Sequence, residues 1–190
     1  MTRITLITSN PNKVKEFSQV LEPDIGVDHV ELEYPELRSD DPEEIVRLAA
    51  SQLADRMGKP VVAEDSGLFI DALQGFPGTC TKYVFQRIGN DGLLKVMENV
   101  DAEKRRCFYK SAVGYCEPGG KAVSFLGVEE GTIAESARGD QGWGQDPIFI
   151  PAGDSKTYGE LRKDGDVNIF RRKAVEKLRE FLLDREARET

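Results

Sequence analysis

With 190 residues, 39% hydrophobic and 32% charged, the chain has the make-up of a water-soluble protein with room for one substantial core, and a single domain over 1–190 is expected. No apolar run reaches the ~20 residues of a membrane helix, and a formal net charge of −8 opposes adhesion to polyphosphate backbones and anionic lipid, which argues against nucleic acid and membranes as partners. Cys80, Cys107 and Cys116 are odd in number and lack Cys-x-x-Cys spacing, so neither a disulfide framework nor a thiolate zinc site is expected. The single histidine, His29, lies in an extended segment and reads as structural. Acid–base work therefore falls to carboxylates or lysines, and a catalytic metal would be a hard ion on oxygen ligands, Mg²⁺ or Mn²⁺. The sequence enters a strand at once, leaving no room for a signal peptide, so a cytoplasmic location is the expectation.

Arg3–Thr8 reads as the first strand, with Ile4, Leu6 and Ile7 buried. Thr8-Ser9-Asn10-Pro11-Asn12-Lys13 then turns into a helix from Lys13 to about Leu21, apolar along Val14, Phe17 and Leu21. Ser9, Asn10 or Asn12 can cap that helix, and Pro11 suits a tight turn or a first helical position. Its backbone N–H groups, with Lys13, can hold phosphate oxygens, although the glycines of a P-loop are missing and a plain capped helix explains the same residues. Val27–Leu32 reads as a second strand. Asp40-Asp41-Pro42-Glu43-Glu44 opens the next helix, with an acidic cap, a first-turn proline and carboxylates at the positive dipole end. Glu36, in the loop before it, is either solvated surface or a metal ligand.

Val61-Val62-Ala63 reads as the end of a buried strand, which sets Glu64 and Asp65 at the carboxyl edge where open α/β sheets carry their chemistry. Neighbours in extended chain face opposite ways, so one of the two points into a given site. Asp65 is the candidate, because Ser66 and Gly67 after it allow a turn and the close approach of a ligand; an acidic strand-end turn explains the same pattern. Beyond Gly75-Phe76-Pro77-Gly78 a helix runs to about Met97 with a break at Asn90-Asp91-Gly92. Lys82 falls in its first turn, where a nearby anion would offset repulsion from the dipole.

Cys107–Cys116 and Lys121–Leu126 read as a hairpin about Glu117-Pro118-Gly119-Gly120, with Val128–Ser136 as a further extended segment. In Arg138–Pro147 glycines surround the only tryptophan, Trp143: either the loop lies against a flat ligand, or it is a bulged connection with the indole buried. Tyr158–Leu161 is a helical turn, and the last helix runs from about Asn168 to Arg185 with Ala174, Val175, Leu178, Phe181 and Leu182 on its apolar face. Arg171 and Arg172 sit in its first turns, where the dipole does not support cations, so an anion or polar ligand is expected beside them. The charged tail, Asp184–Thr190, is expected to fray.

Taken together, these stretches resemble the inosine/xanthosine triphosphate pyrophosphatase family, which hydrolyses noncanonical purine nucleoside triphosphates to monophosphate and pyrophosphate. The motifs are Thr8–Lys13, Pro35-Glu36 before Asp41-Pro42-Glu43-Glu44-Ile45, Ala63-Glu64-Asp65-Ser66-Gly67-Leu68, Gly75-Phe76-Pro77-Gly78 with Lys82, Gly142–Phe149 and Thr157–Leu161. Their order and spacing cover nearly the whole chain. The resemblance implies an α/β fold, a single elongated domain with a long, mixed, twisted β-sheet flanked by helices, and a homodimer. It implies that Thr8, Ser9, Asn10, Asn12, Lys13, Ser66 and Lys82 hold the nucleoside triphosphate substrate, that Glu36 and Asp65 serve Mg²⁺, and that Asp65 activates the attacking water. Trp143, Gly144, Gln145, Asp146, Lys163, Phe170 and Arg171 fall at the base-reading positions.

The base-reading positions also depart from the family. Gln145 stands where relatives carry a second aromatic, and stacking on an aromatic contributes about 1–3 kcal/mol. Ile169-Phe170-Arg171 replaces the family's Ser-His-Arg, so one donor to the purine 6-keto oxygen is kept and the histidine is lost. Lys163 matches the family's upstream lysine only across gaps. Two alternatives follow: the same chemistry with an altered or broadened base preference, or a nucleotide-binding protein that has lost turnover.

Overall fold

The structure, a computed structural model, describes residues 2–163 and 165–189. In chain order it runs β1 (Arg3–Ile7), α1 (Pro11–Leu21), β2 (Gly26–Val30), α2 (Pro42–Met57), β3 (Val61–Ile70), β4 (Pro77–Gly78), α3 (Thr81–Val96), β5 (Arg106–Cys116), β6 (Val123–Ile133), β7 (Phe149–Pro151), α4 (Tyr158–Leu161) and α5 (Ile169–Glu189). The strands form a mixed seven-stranded sheet in the order β2-β1-β3-β5-β6-β7, with β4 paired to β3. The fold is α/β, as expected. Two compact units divide the chain: the first takes the residues up to Asp65, Ser111–Val128 and everything from Val167 on, the second Ser66–Lys110 and Glu129–Asp166. No helix among the described residues is long and apolar enough to cross a membrane.

In the first unit β1 pairs in parallel with β2 and with the start of β3, from Thr5 opposite Val61 to Ile7 opposite Ala63. Alternation along the strands sorts the apolar side chains into two layers. Ile4, Leu6 and Val62 pack with Phe17 and Leu21 of α1 and with Ala174, Val175, Leu178 and Leu182 of α5. Ile7, Val61 and Ala63 pack instead with Ala49, Ala50 and Leu53 of α2. Asn10 is the cap of α1 and accepts from Asn12 N at 2.9 Å; Asp41 caps α2 and accepts from Glu43 N at 2.9 Å. Pro11 takes the first helical position, so α1 begins two residues before the expected Lys13. On α5, Lys173 and Lys177 donate to the Val128 and Leu126 carbonyls of β6 at 2.9 and 2.7 Å.

The second unit buries Leu68, Ile70, Leu93, Met97, Ile133, Ile148 and Phe149. Its buried Arg105 donates to four backbone carbonyls, those of Met97, Val100, Ile133 and Ala134, and so needs no counter-ion. Tyr109, Phe149 and Tyr158 stack in series at 4.7 and 5.3 Å between centroids.

The structure corrects the sequence reading at several points. No turn follows Asp65: β3 runs unbroken to Ile70, so Glu64 and Asp65 are mid-strand residues that lie just past the end of β1. Gly67 serves close approach, since a Cβ there would stand 2.0 Å from the Gly78 carbonyl oxygen of β4. Likewise the expected hairpin strand and the separate segment after it are one strand, β6. Gly127 in its middle lets α5 pack closely, a Cβ there lying 1.9 Å from the Phe170 carbonyl oxygen. The C-terminal residues continue α5 to Glu189, where fraying was expected; Arg185 pairs with Glu117 at 3.0 Å.

Gly127→Ala should therefore cost about 1–3 kcal/mol of stability by forcing α5 off β6, read as a lowered denaturant midpoint at unchanged slope.

Candidate active site

In the first unit, the end of β1 and the start of α1 are fixed by short polar contacts. Thr8 N donates to Val30 O at 3.2 Å, Thr8 Oγ1 accepts from Asn10 N at 3.1 Å, and the His29 ring nitrogen Nε2 lies 2.7 Å from Thr8 O. His29 is structural here, tying the turn to β2. The turn delivers Lys13 to Glu64, with Nζ 2.5 Å from Oε2 and 3.2 Å from the Glu64 carbonyl oxygen. Glu64 is on the α1/α5 face of β3 because it alternates with Val62, and its side chain is 1% exposed. Ser111 Oγ donates to its Oε1 at 2.6 Å, and Arg171 Nε lies 3.2 Å from the same oxygen.

Arg171 is fully buried, and its Nη1 lies 2.5 Å from Glu16 Oε2. Asn168 Nδ2 completes the set by donating to Glu16 Oε1 at 2.7 Å. Two cations thus meet two carboxylates in the interior. Burial alone would push the Glu64 carboxyl up, but the charges of Arg171 and Lys13 and the hydrogen bonds from Lys13 and Ser111 bring it from 4.5 down to about 2. For Arg171, burial works against the charge, and the Glu64 and Glu16 carboxylates outweigh it and hold the guanidinium protonated. The anion expected beside Arg171 is present, supplied by the protein.

Asp65, the next residue along β3, is half-buried and alternates to the face of Ala63. Tyr34 packs against the apolar layer of that face. The Tyr34 hydroxyl is pushed above its ordinary range by burial first, then by the charges of Glu36, Asp65 and Glu64, and it donates to Glu36. Glu36 is exposed. Among the described residues, no group of three or more His, Cys, Asp or Glu is arranged to hold a metal ion. Glu36 and Asp65, both near the Tyr34 hydroxyl, nevertheless suit Mg²⁺, which uses one or two carboxylates and completes its shell with water and substrate phosphates.

In the second unit the Arg138–Pro147 loop brings its own residues together. Gly142 and Gly144 have φ of 75° and 64°, which makes glycine the natural choice on both sides of Trp143. Asp146, 3% exposed, accepts from Trp143 N at 2.9 Å and pairs with Arg162 Nε at 3.1 Å. Gln145 also turns inward, accepting from the Tyr109 hydroxyl at 3.3 Å. Trp143 remains 42% exposed, so the sequence reading with a buried indole does not hold. Lys82 is exposed at the start of α3, Ser66 is half-buried in β3, and Lys163 is exposed with its N–H on Asp166. Phe170 is buried at 3% exposure and offers no ring at the surface.

Sequence reasoning missed Glu16, Ser111, Asn168, Tyr34 and Arg162. Glu16 had one visible signal: it lies three residues after Lys13 in α1 and so shares its face. The partners of the others are too distant in the chain for any local pattern to mark them.

A family model described as the Ham1 family matches residues 4–181. The chain belongs to the Ham1 family. Among curated relatives, a dITP/XTP pyrophosphatase of Methanopyrus kandleri is 47% identical over 181 residues, covering 94% of this chain and 95% of the relative. A protein of the same name from Pyrococcus horikoshii is 45% identical over 161 residues, 84% of each chain. Among solved structures, the Ham1 protein of Staphylococcus aureus superposes with a TM-score of 0.81 at 29% identity, covering 97% of this chain and 100% of that one. A HAM1 protein from Coxiella burnetii gives 0.82 at 27% identity with the same coverage.

Two outcomes follow for the network. Arg171→Ala leaves Glu16 and Glu64 buried without their shared cation and should cost about 3–5 kcal/mol in chemical denaturation. Because the Glu64 carboxyl is depressed in the folded state, its contribution is complete above the unfolded value of 4.5 and is lost as pH falls through about 2. The stability gap between wild type and Glu64→Gln, measured by urea titration, should therefore be constant at neutral pH and narrow across that acid window.

Proposed function

We propose that this chain is a nucleoside triphosphate pyrophosphatase that hydrolyses noncanonical purine nucleotides, ITP, XTP and dITP, to the monophosphate and pyrophosphate. The observation that carries the reading is the 47% identity, over 94% of the chain, to a relative named for dITP/XTP pyrophosphatase activity. The residues suit the chemistry. Asp65 takes a proton from water as the water oxygen bonds to the α-phosphorus; the bond from that phosphorus to the bridging oxygen of the pyrophosphate breaks, and pyrophosphate leaves. Glu36 and Asp65 would hold a divalent ion, Mg²⁺ or alternatively Mn²⁺, which would supply positive charge beside the phosphate oxygens. Lys13 and Lys82 add cationic charge, the Thr8–Lys13 segment binds phosphate oxygens, and the Trp143 indole stacks on the base.

The same reading makes the protein a cytoplasmic homodimer acting on free nucleotides, with the net charge of −8 keeping it off nucleic acid and anionic membranes. One observation favours a broadened base preference as a second reading. Gln145 is turned onto Tyr109 and Phe170 is buried, so neither replaces at the surface the aromatic ring or histidine donor of other family members.

The test is pyrophosphate release with Mg²⁺ across ITP, XTP, dITP, GTP, ATP, CTP and UTP. A kcat/KM for ITP and XTP about tenfold or more above ATP is expected, the value of one well-placed hydrogen bond to the 6-keto oxygen. Asp65→Asn should lower kcat by about 10²–10⁴-fold at little cost in stability. Equal rates on all seven nucleotides would select the second reading, and no release from any would end both.

A further inference from the structure

Helix α3 is interrupted at Gly89, whose φ of 62° and ψ of −166° lie in a region essentially restricted to glycine. The residue after the break, Asn90, is half-buried, and its Nδ2 donates to the Gly144 carbonyl at 3.0 Å, 54 residues further along the chain. Its Oδ1 is buried and has no hydrogen-bond partner among the described residues. A buried, unpaired amide oxygen is a net cost to the fold, and an apolar side chain would fill the same space without it. Stability alone therefore does not account for an asparagine here, and what its amide does achieve is to hold Gly144.

Gly144 adjoins the chain's only tryptophan. On the other side of the indole's attachment, the Trp143 N–H is held by Asp146, itself paired with Arg162. The backbone at Trp143 and Gly144 is thus tied down twice, once from within its own loop and once from α3. Nothing lies within 4 Å of a Cβ placed on Gly144, so that side of the residue is open space.

We propose that Asn90 is a positioning residue for substrate binding: through Gly144 it fixes the loop that presents Trp143, so that the indole is pre-set for the purine base. The proposal rests on the stacking role given to Trp143 above. Its energetic logic is preorganisation: ordering completed in the free protein is not charged against binding. The Gly89 break serves the same end by directing the chain so that Asn90 meets the loop.

The experiment compares wild type with Asn90→Ala and with Asn90→Asp, which keeps the shape and removes the donor. Both should raise KM for ITP about fivefold or more, the loss of one net hydrogen bond, while kcat stays within about twofold, since the reacting atoms are untouched. The thermal midpoint of Asn90→Ala should be unchanged or higher, because the unpaired oxygen goes with the side chain. In the substrate-free proteins, fluorescence anisotropy and acrylamide quenching of Trp143, the sole tryptophan, should report a more mobile indole in both variants. Unchanged quenching, a KM that stays at the wild-type value, or a joint fall of midpoint, kcat and affinity would each overturn the proposal. If wild type turns over no triphosphate, the functional reading fails by itself, and the fluorescence comparison still decides whether Asn90 holds the loop.

Discussion

The fold of the first unit turns on one carboxylate. Glu64 sits almost entirely out of water between Lys13, Ser111 and Arg171, and Arg171 in turn reaches Glu16. Each ion taken from water carries a desolvation cost of several kcal/mol, recovered only when partners sit at hydrogen-bonding distance on every side. That requirement constrains the architecture. The strand must stay extended past Ala63 for Glu64 to face the helices, α1 must begin early enough to deliver both Lys13 and Glu16, and α5 must start where Arg171 can enter. A single set of contacts thereby joins β3, β5 and the helices from the two ends of the chain.

Much of this was legible in the sequence. The caps at Asn10 and Asp41 and the apolar face of α5 follow from local chemistry, each encoded within a few residues. What escaped depends on distance. Glu64-Asp65-Ser66-Gly67 looks like the end of a strand because charged and small residues rarely continue one, and only cations 51 and 107 positions away let it continue here. Gly67 and Gly127 were read as breaks because a glycine at a turn and a glycine under a close backbone are the same letter. For Arg171 an anion or polar ligand was expected; the chain itself supplies two carboxylates, Glu16 of α1 and Glu64 of β3, and the first was hidden in α1.

The two departures from the family's base-reading residues look different once placed. Gln145 and Phe170 are interior residues in this chain, one hydrogen-bonded to Tyr109 and the other buried in the first turn of α5. The loop leaves the Trp143 indole exposed, while Asp146 and Asn90 hold the backbone at Trp143 N and Gly144 O. Recognition by one rigid aromatic surface discriminates poorly among bases, since every base has a π-face. Arg171, the residue after Phe170, is fully buried and already engaged by Glu16 and Glu64.

The lysines of α5 that cap β6 have a further consequence. A strand flank with open carbonyls is a template on which another chain can extend the sheet. At Leu126 and Val128 those acceptors are already taken by the ammonium groups of Lys177 and Lys173. An incoming strand would have to displace both and leave two cations facing its own backbone. Helix packing and protection against edge-to-edge aggregation are thus served by the same two side chains, so charge-removing chemistry on them would expose the sheet to self-association while leaving the apolar core intact.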